Sequence, residues 1–300
     1  QQVYIPWLVL RHRIDVLFSA AHFGSLFAPC RRVVLLCNAS CFGPIYLRRL
    51  LNWSPVNDNL KMRLHRLLTL LNIRFNHVVL TPTRAMRDIV GSCYRIPRRK
   101  WAHIHYGFSN EQATMPPVAA THRRRVVCGT LWTPYKNLRT VLEAARILAQ
   151  RERDIQWVFT VSFSEHSSMF ADKAAAEKAE QTGAEIVETG SIPRSQLLAL
   201  LKTADVVVWP SVLESFGHPA LEALWSGKPV VAANTPVNRE LLGNNAVYFE
   251  PLDAHDCASK IGKMLQKPPS NAERAKRRVA RFTWEAHIRK VLKSMRRVRC

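Results

Sequence analysis

Short apolar runs rich in Val and Ile recur along these 300 residues, and segments of helical periodicity fill many of the gaps between them. IDVLFS (14–19), RVVLLC (32–37), HVVLT (77–81) and WAHIH (101–105) read as strands. RVVCGT (125–130), IQWVFTV (155–161), AEIVETG (184–190), DVVVWP (205–210) and KPVVAA (228–233) read likewise. Consecutive apolar positions suit strands buried on both faces. LKMRLHRLLTLLNI, NLRTVLEAARILAQ, RSQLLALLKTA and GHPALEALWSG carry the helical pattern. Strand, helix and strand in repetition specify a parallel sheet with helices on both sides. The segment near residues 110–124 has two prolines, small residues and charge with no apolar period, which reads as a linker. A fresh strand–helix series begins after it. The expected organisation is an α/β domain over 1–118, a second over 119–281 and a terminal basic segment over 282–300.

Composition narrows the class. With 47% hydrophobic residues the chain can build real cores, and collagen-like, mucin-like and acidic disordered classes are excluded. The longest apolar run near the start, VYIPWLVL, has eight residues, against roughly 20 for a membrane-spanning helix. Seven cysteines without a C-x-x-C pair point to reduced thiols rather than a zinc site. Charge is uneven. Residues 1–120 hold 16 Lys/Arg against 4 Asp/Glu, residues 121–270 hold 17 against 16, and residues 271–300 hold 11 against 2. Basic ends attract nucleic acid, anionic lipid or an anionic substrate. The basic ends have no interleaved aromatic base-stacking runs and no RNA-module signature, which argues against nucleic acid as a specific partner. After Thr283, a plausible N-cap, the residues Trp284, Ile288, Val291, Leu292 and Met295 recur at helical spacing. Arg289, Lys290, Lys293, Arg296 and Arg297 fill the other positions. This basic amphipathic helix suits covering a domain face or lying on a membrane surface.

The stretch 205–252 carries the chemistry. Asp205 to Pro210 is a strand, and ligands of open α/β sheets bind just beyond the carboxyl ends of strands. The loop SVLESFGH follows, then Pro219 suits a first helical turn and Gly227 a helix stop. Gly217 and His218 therefore fall at a helix N-terminus, whose free N–H groups face an approaching anion or polar ligand. Glu214 and Glu222 stand in an E-x7-E spacing, so two carboxylates flank that terminus and suit sugar or ribose hydroxyls. Taken alone, Glu222 equally suits an ordinary carboxylate favoured by the helix dipole.

The ordered series E-SFG-HPALEAL-SGKPVVAAN-P, followed by NRELLG, resembles the nucleotide-sugar site of retaining, family 4 (group 1) glycosyltransferases. That resemblance implies the GT-B fold, two Rossmann-like α/β domains facing across a cleft. It implies that Glu214 contacts the donor sugar and that Glu222 holds the ribose hydroxyls, with Phe216, Gly217 and His218 in the same site. CGTLWTPYKNL (128–138) resembles the family's diphosphate loop, placing Gly129 and Thr130 beside the donor and Lys136 on its diphosphate. Thr130 stands where many members have Arg. GSIPRSQL (190–197) resembles the base-binding loop, with Arg194 bordering the nucleobase. RIDVLFSAAH resembles the strand that ends in an acceptor-side His, which makes His22 a candidate for orienting the reacting groups; Tyr106 stands where Asn is common. No glycine-rich loop precedes residue 14, so the family layout implies an incomplete N-terminal domain lacking its opening strand and that loop.

What the resemblance implies is transfer of a sugar, mannose or rhamnose in type, from a nucleoside diphosphate sugar to an acceptor hydroxyl with retention. Negative charge growing on the departing diphosphate is met by Lys136 and the N–H groups at Gly217. No D-x-D occurs, so neither a divalent metal nor another cofactor is expected. A glycan or lipid-linked acceptor, synthesis of cell-surface glycan or glycolipid, and a cytoplasmic protein held at an anionic inner membrane face complete the expectation. The competing expectations are a non-catalytic sugar-nucleotide-binding remnant and, less favoured, a basic nucleic-acid-binding protein.

Overall fold

The structure, a computed structural model, describes residues 2–20, 23–39, 60–94, 96–109, 118–119, 121–165, 169–268 and 272–296. His22, Arg297 and much of the expected linker lie outside the described residues. The chain forms two compact units. Unit 1 comprises Gln1–Gly107, Leu213–Phe216 and Phe282–Cys300; unit 2 comprises Phe108–Val212 and Gly217–Arg281.

Unit 1 opens with helix α1 (Tyr4–Arg11), where Pro6 sits in the first turn and its missing N–H has no intrahelical role. Strands β1 (Val16–Ser19), β2 (Arg31–Leu35), β3 (Val78–Thr81) and β4 (Trp101–His103) form a parallel sheet in that order. Helices α2 (Leu60–Phe75) and α3 (Arg84–Tyr94) flank β3 in the chain. Val33, Leu35, Leu80 and Ile104 make a buried cluster that Val291 of the C-terminal helix (Trp284–Arg296) completes. Thr283 caps that helix, its hydroxyl accepting from the Ala286 N–H at 3.1 Å. The buried side of the helix is His287, Val291 and Ser294, whereas Trp284, Ile288 and Leu292 of the apolar stripe are exposed. A polar contact sets this rotation: the His287 Nδ1 lies 2.9 Å from the His105 carbonyl oxygen.

Unit 2 is a six-stranded parallel sheet. Its elements are β5 (Arg124–Cys128), α4 (Leu138–Ala149), β6 (Ile155–Phe159), α5 (Phe170–Gln181) and β7 (Glu185–Glu188). Then follow α6 (Arg194–Thr203), β8 (Val206–Trp209), α7 (His218–Trp225), β9 (Val230–Ala233), α8 (Pro236–Leu242), β10 (Val247–Phe249), α9 (Ala254–Gln266) and α10 (Ala272–Val279). Every residue of β6, β8 and β9 is buried, as strands covered on both faces must be. The strand order is β10-β9-β8-β5-β6-β7. The chain leaves β5 towards β6 on one side and returns to pair β8 on the other, with Val126 opposite Val206 and Val127 opposite Val207. That reversal opens the crevice at which such sheets bind ligands.

The amino end of the same strand pair is sealed. The buried Arg125 side chain donates from Nε to Gln156 Oε1 and from one terminal nitrogen to Thr203 Oγ1, both at 2.8 Å. Its backbone N–H donates to the Asp205 carboxylate at 2.7 Å. The guanidinium is thereby satisfied at the end of the sheet where no ligand is expected. The carboxyl ends of β5 and β8 are left to their loops.

Candidate functional site

Two loops meet at the β5/β8 reversal. The loop after β5 runs from Gly129 to Asn137, and a Cβ on Gly129 would stand 2.7 Å from Leu197 Cδ1 of α6, so a side chain there would require Leu197 to shift. Thr130 is buried and fixed to β6's end: its N–H donates to Thr160 Oγ1 at 2.8 Å, and that hydroxyl donates to the Thr130 carbonyl at 3.0 Å. A single 3₁₀ turn, Pro134–Lys136, follows and ends at Asn137 in the left-handed region, φ 55°. This turn is tied to the loop after β8. The Tyr135 carbonyl accepts from the Val212 N–H at 3.0 Å and from the Ser211 hydroxyl at 3.4 Å, and the Asn137 amide donates to the Pro210 carbonyl at 3.4 Å. Lys136 is thus delivered to the end of β8, where its Nζ lies 4.8 Å from the centroid of the Trp209 ring.

Gly217 is the N-cap of α7, with φ 96° and ψ 56° and no side chain capping the helix. A Cβ there would be 3.4 Å from Trp209 Nε1, so its backbone lies against the indole edge. His218 and Pro219 form the first turn. Glu222, one turn further on, is 2% exposed and paired with Arg194. Arg194 Nε donates to Glu222 Oε1 at 2.9 Å, and a terminal nitrogen lies 2.8 Å from the same oxygen. The guanidinium also donates to the Ser109 carbonyl at 3.2 Å. A carboxylate so deeply buried demands such a partner.

Glu214 and Phe216 belong to unit 1 by their packing. The Ser215 carbonyl accepts from the Thr83 hydroxyl at 3.2 Å. The buried Phe216 ring packs edge-on against Tyr106 at 5.4 Å and Phe282 at 5.7 Å between centroids. Glu214 is half-buried. Within unit 2 the structure therefore joins Lys136 and Gly217 through one indole, and Glu222 to Arg194. Sequence reasoning did not single out Trp209; its signal is a large aromatic residue as the last residue of an otherwise all-Val strand, at the carboxyl edge.

The thiols here are structural. Burial pushes Cys128 up to about 12, opposed by the Lys136 charge, and raises Cys257 as well, so neither is a nucleophile at neutral pH. Among the described residues no group of three or more His, Cys, Asp or Glu could hold a metal ion.

A parallel-sheet unit with a cation and an uncapped helix N-terminus at its strand-order reversal, joined to a second parallel-sheet unit, defines an α/β protein whose candidate site lies where open sheets take ligands. The sequence pattern of the glycosyl transferases group 1 matches residues 126–281, just over half of the chain, and the chain belongs to that family. It is 23% identical over 221 residues to the O-antigen chain mannosyltransferase RfbU of Salmonella typhimurium, a stretch covering 73% of this chain and 60% of that protein. It is 28% identical over 184 residues to the MMP alpha-(1->4)-mannosyltransferase of Mycolicibacterium hassiacum, covering 57% of this chain and 42% of that one. The chain thus spans less than two thirds of either relative. The solved structure of Anabaena Alr3699/HepE in complex with UDP and glucose overlays with a TM-score of 0.72 at 19% identity, covering 97% of this chain and 80% of that one. The fold is GT-B, two Rossmann-like α/β units.

Proposed function

We propose that the protein transfers a mannose-type sugar from a nucleoside diphosphate sugar to an acceptor hydroxyl with retained configuration, in the synthesis of a surface glycan or glycolipid. The observation that carries this is the junction at Trp209, which brings the Lys136 ammonium and the Gly217 helix terminus to one place. The mannosyltransferases among its relatives support the sugar. In this reading Lys136 and the α7 N–H groups stabilise charge on the departing diphosphate. Glu214 orients the sugar, and Glu222, held by Arg194, takes the ribose hydroxyls. His218 lines the sugar, Gly129 and Thr130 border the diphosphate, and neither metal nor other cofactor takes part. A thermal-shift panel of GDP-, UDP- and dTDP-sugars tests it. One donor should raise the melting temperature through mass action, and the product anomer, read by NMR, should match that of the donor. Stabilisation by none of them, or an inverted product, overturns the reading.

A second reading rests on Thr130, which stands in the place of a cation and is fixed by Thr160. It is a sugar-nucleotide-binding protein without turnover, and donor binding without transfer or hydrolysis would establish it.

We further infer attachment to an anionic membrane face through unit 1. Val3, just before α1, and Tyr4, Trp7 and Leu10 on it stand exposed, and the Arg11 guanidinium lies 5.0 Å from the Trp7 ring. A second, partly apolar surface of unit 1 is a shallow pocket lined by Ile14, Asp15, Val16, Leu292, Met295 and Arg296. No helix among the described residues is long and apolar enough to cross a membrane. An interfacial helix needs only this combination of apolar side chains and cations. Liposome flotation should show salt-sensitive binding that requires anionic lipid; equal recovery on neutral vesicles would count against it.

A further inference from the structure

Trp209 is 2% exposed, and its indole N–H has no hydrogen-bond partner among the described residues. A buried orphan donor is costly and rare, so its retention at the carboxyl edge of β8 calls for a reason. An apolar side chain would fill the same space without that cost. The ring has two neighbours of chemical interest. Its face carries the Lys136 ammonium, with Nζ 4.8 Å from the centroid. Its Nε1 edge lies against Gly217, where an added Cβ would approach to 3.4 Å.

We propose that Trp209 is a positioning residue for the donor diphosphate: its π-face holds the Lys136 ammonium beside the α7 N-terminus, so that the two sources of positive potential act on one anion. This deepens, and rests on, the reading of the site as one for a nucleoside diphosphate sugar. Lysine is a flexible point charge with several rotatable bonds, so each contact that holds its ammonium near the ligand helps to pre-order it. The Tyr135 and Asn137 hydrogen bonds fix only the backbone of its turn. The aromatic face restrains the side chain itself, through attraction that strengthens as water is excluded. The lysine is thereby arranged before the ligand arrives, which is where positioning raises affinity. Glycine at 217 suits the turn that brings the helix terminus to the indole edge, because its φ of 96° disfavours a side chain.

The experiment compares the affinity of the intact protein for GDP or UDP, whichever it binds, with its affinity for the corresponding nucleoside, by titration calorimetry. Trp209→Leu should weaken the diphosphate by roughly 5- to 30-fold, the range of a desolvated cation–π contact, and leave the nucleoside unchanged. Trp209→Phe, which keeps a smaller aromatic face and lacks the N–H, should recover most of that loss. In the background of Lys136→Met, Trp209→Leu should add nothing. Fluorinated tryptophan placed at position 209 keeps shape and N–H while draining the ring face, so affinity should fall stepwise with fluorination even if Trp209→Leu does not fold. A flat fluorination series, equal loss of nucleoside and diphosphate, or additive losses with Lys136→Met would each overturn the inference. Failure of the intact protein to bind either diphosphate would sink the donor reading and this inference with it. Loss of binding in Lys136→Met but not in Trp209→Leu would sink this inference alone.

Discussion

The two units share one architecture and differ in surface. Both are parallel sheets with helical crossovers, yet of the large apolar side chains that stand exposed among the described residues, all but Leu131 belong to unit 1. Charge divides along similar lines. Residues 121–270, the bulk of unit 2, hold 17 Lys/Arg and 16 Asp/Glu, whereas residues 1–120 hold 16 and 4. Unit 2 spends its cations internally: Arg125 ties two strands together and Arg194 neutralises Glu222. In unit 1 the Arg11 guanidinium stands beside the exposed Trp7 ring. A fold fixes neither pattern. The difference separates a unit whose charges nearly balance from one that is basic and, among the described residues, carries most of the exposed apolar side chains.

The largest expected effect tests the internal pairing of unit 2. Arg194→Met leaves the Glu222 carboxylate buried without its cation, which should cost about 3 kcal/mol, the range for breaking a buried pair. The double variant Arg194→Met, Glu222→Leu should recover most of it, because an apolar pair needs no compensation. Urea melts followed by probes in each unit should show the shift in unit 2 alone. A loss under about 0.5 kcal/mol would mean that water or other groups screen the pair. Next in size is Gly217→Ala. With φ at 96° and the indole edge adjacent, it should cost about 1–2 kcal/mol and weaken nucleoside diphosphate binding together.

How much of this was legible follows from range. The nine Val- and Ile-rich runs all became strands; where both faces are buried, as in β6, β8 and β9, burial leaves a contiguous apolar signature. The three-residue β10 was not among them. The run VYIPWLVL, read only as too short to span a membrane, is largely helix α1, since a proline in the first turn is no obstacle. The C-terminal helix was legible as amphipathic, yet its buried side is set by His287 bonding to the His105 carbonyl, 182 residues away. An apolar pattern does not contain that information. The helix terminus at Gly217 was readable from Gly-His-Pro. The pairing of Glu222 with Arg194, 28 residues distant, was not, because it depends on how α6 and α7 lie together. His22 is not among the described residues, so its part rests on sequence alone.

A smaller effect gives the two units opposite responses to pH. In unit 1, the His77 Nδ1 accepts the Arg32 N–H at 3.1 Å, and burial together with Arg32, Arg31 and Lys100 lowers its pKa below the ordinary 6.5. The unfolded chain then binds the proton more readily. His77 therefore contributes stability that is present above pH 6.5 and lost as pH falls through the lowered value. In unit 2, burial raises Asp172 above its ordinary 3.8, although the Trp132 indole N–H donates to it at 2.8 Å. The folded state now binds the proton more readily, so this contribution is present below 3.8 and lost as pH rises through the raised value. Asp172→Asn should therefore stabilise unit 2 near neutrality and not in acid. His77→Gln should flatten the acid limb of unit 1. Melting curves from pH 4 to 8 check both, and parallel limbs in the two units would break the contrast.

The smallest effect on stability carries the most information about unit 1. Trp7 is 47% and Leu10 67% exposed, so replacing both with Ser should change folding by no more than about 0.5 kcal/mol. If the α1 surface meets a bilayer, the same change removes the apolar part of its attraction, and flotation on anionic vesicles should fall severalfold while donor binding in unit 2 holds. Arg11→Gln should instead weaken binding mainly at low salt, since an exposed cation acts through a screened field. The two variants separate apolar insertion from charge attraction. Were the serine variant to melt several degrees lower, with vesicle binding intact, these side chains would be packing residues of unit 1, and the contrast between the units would reduce to charge.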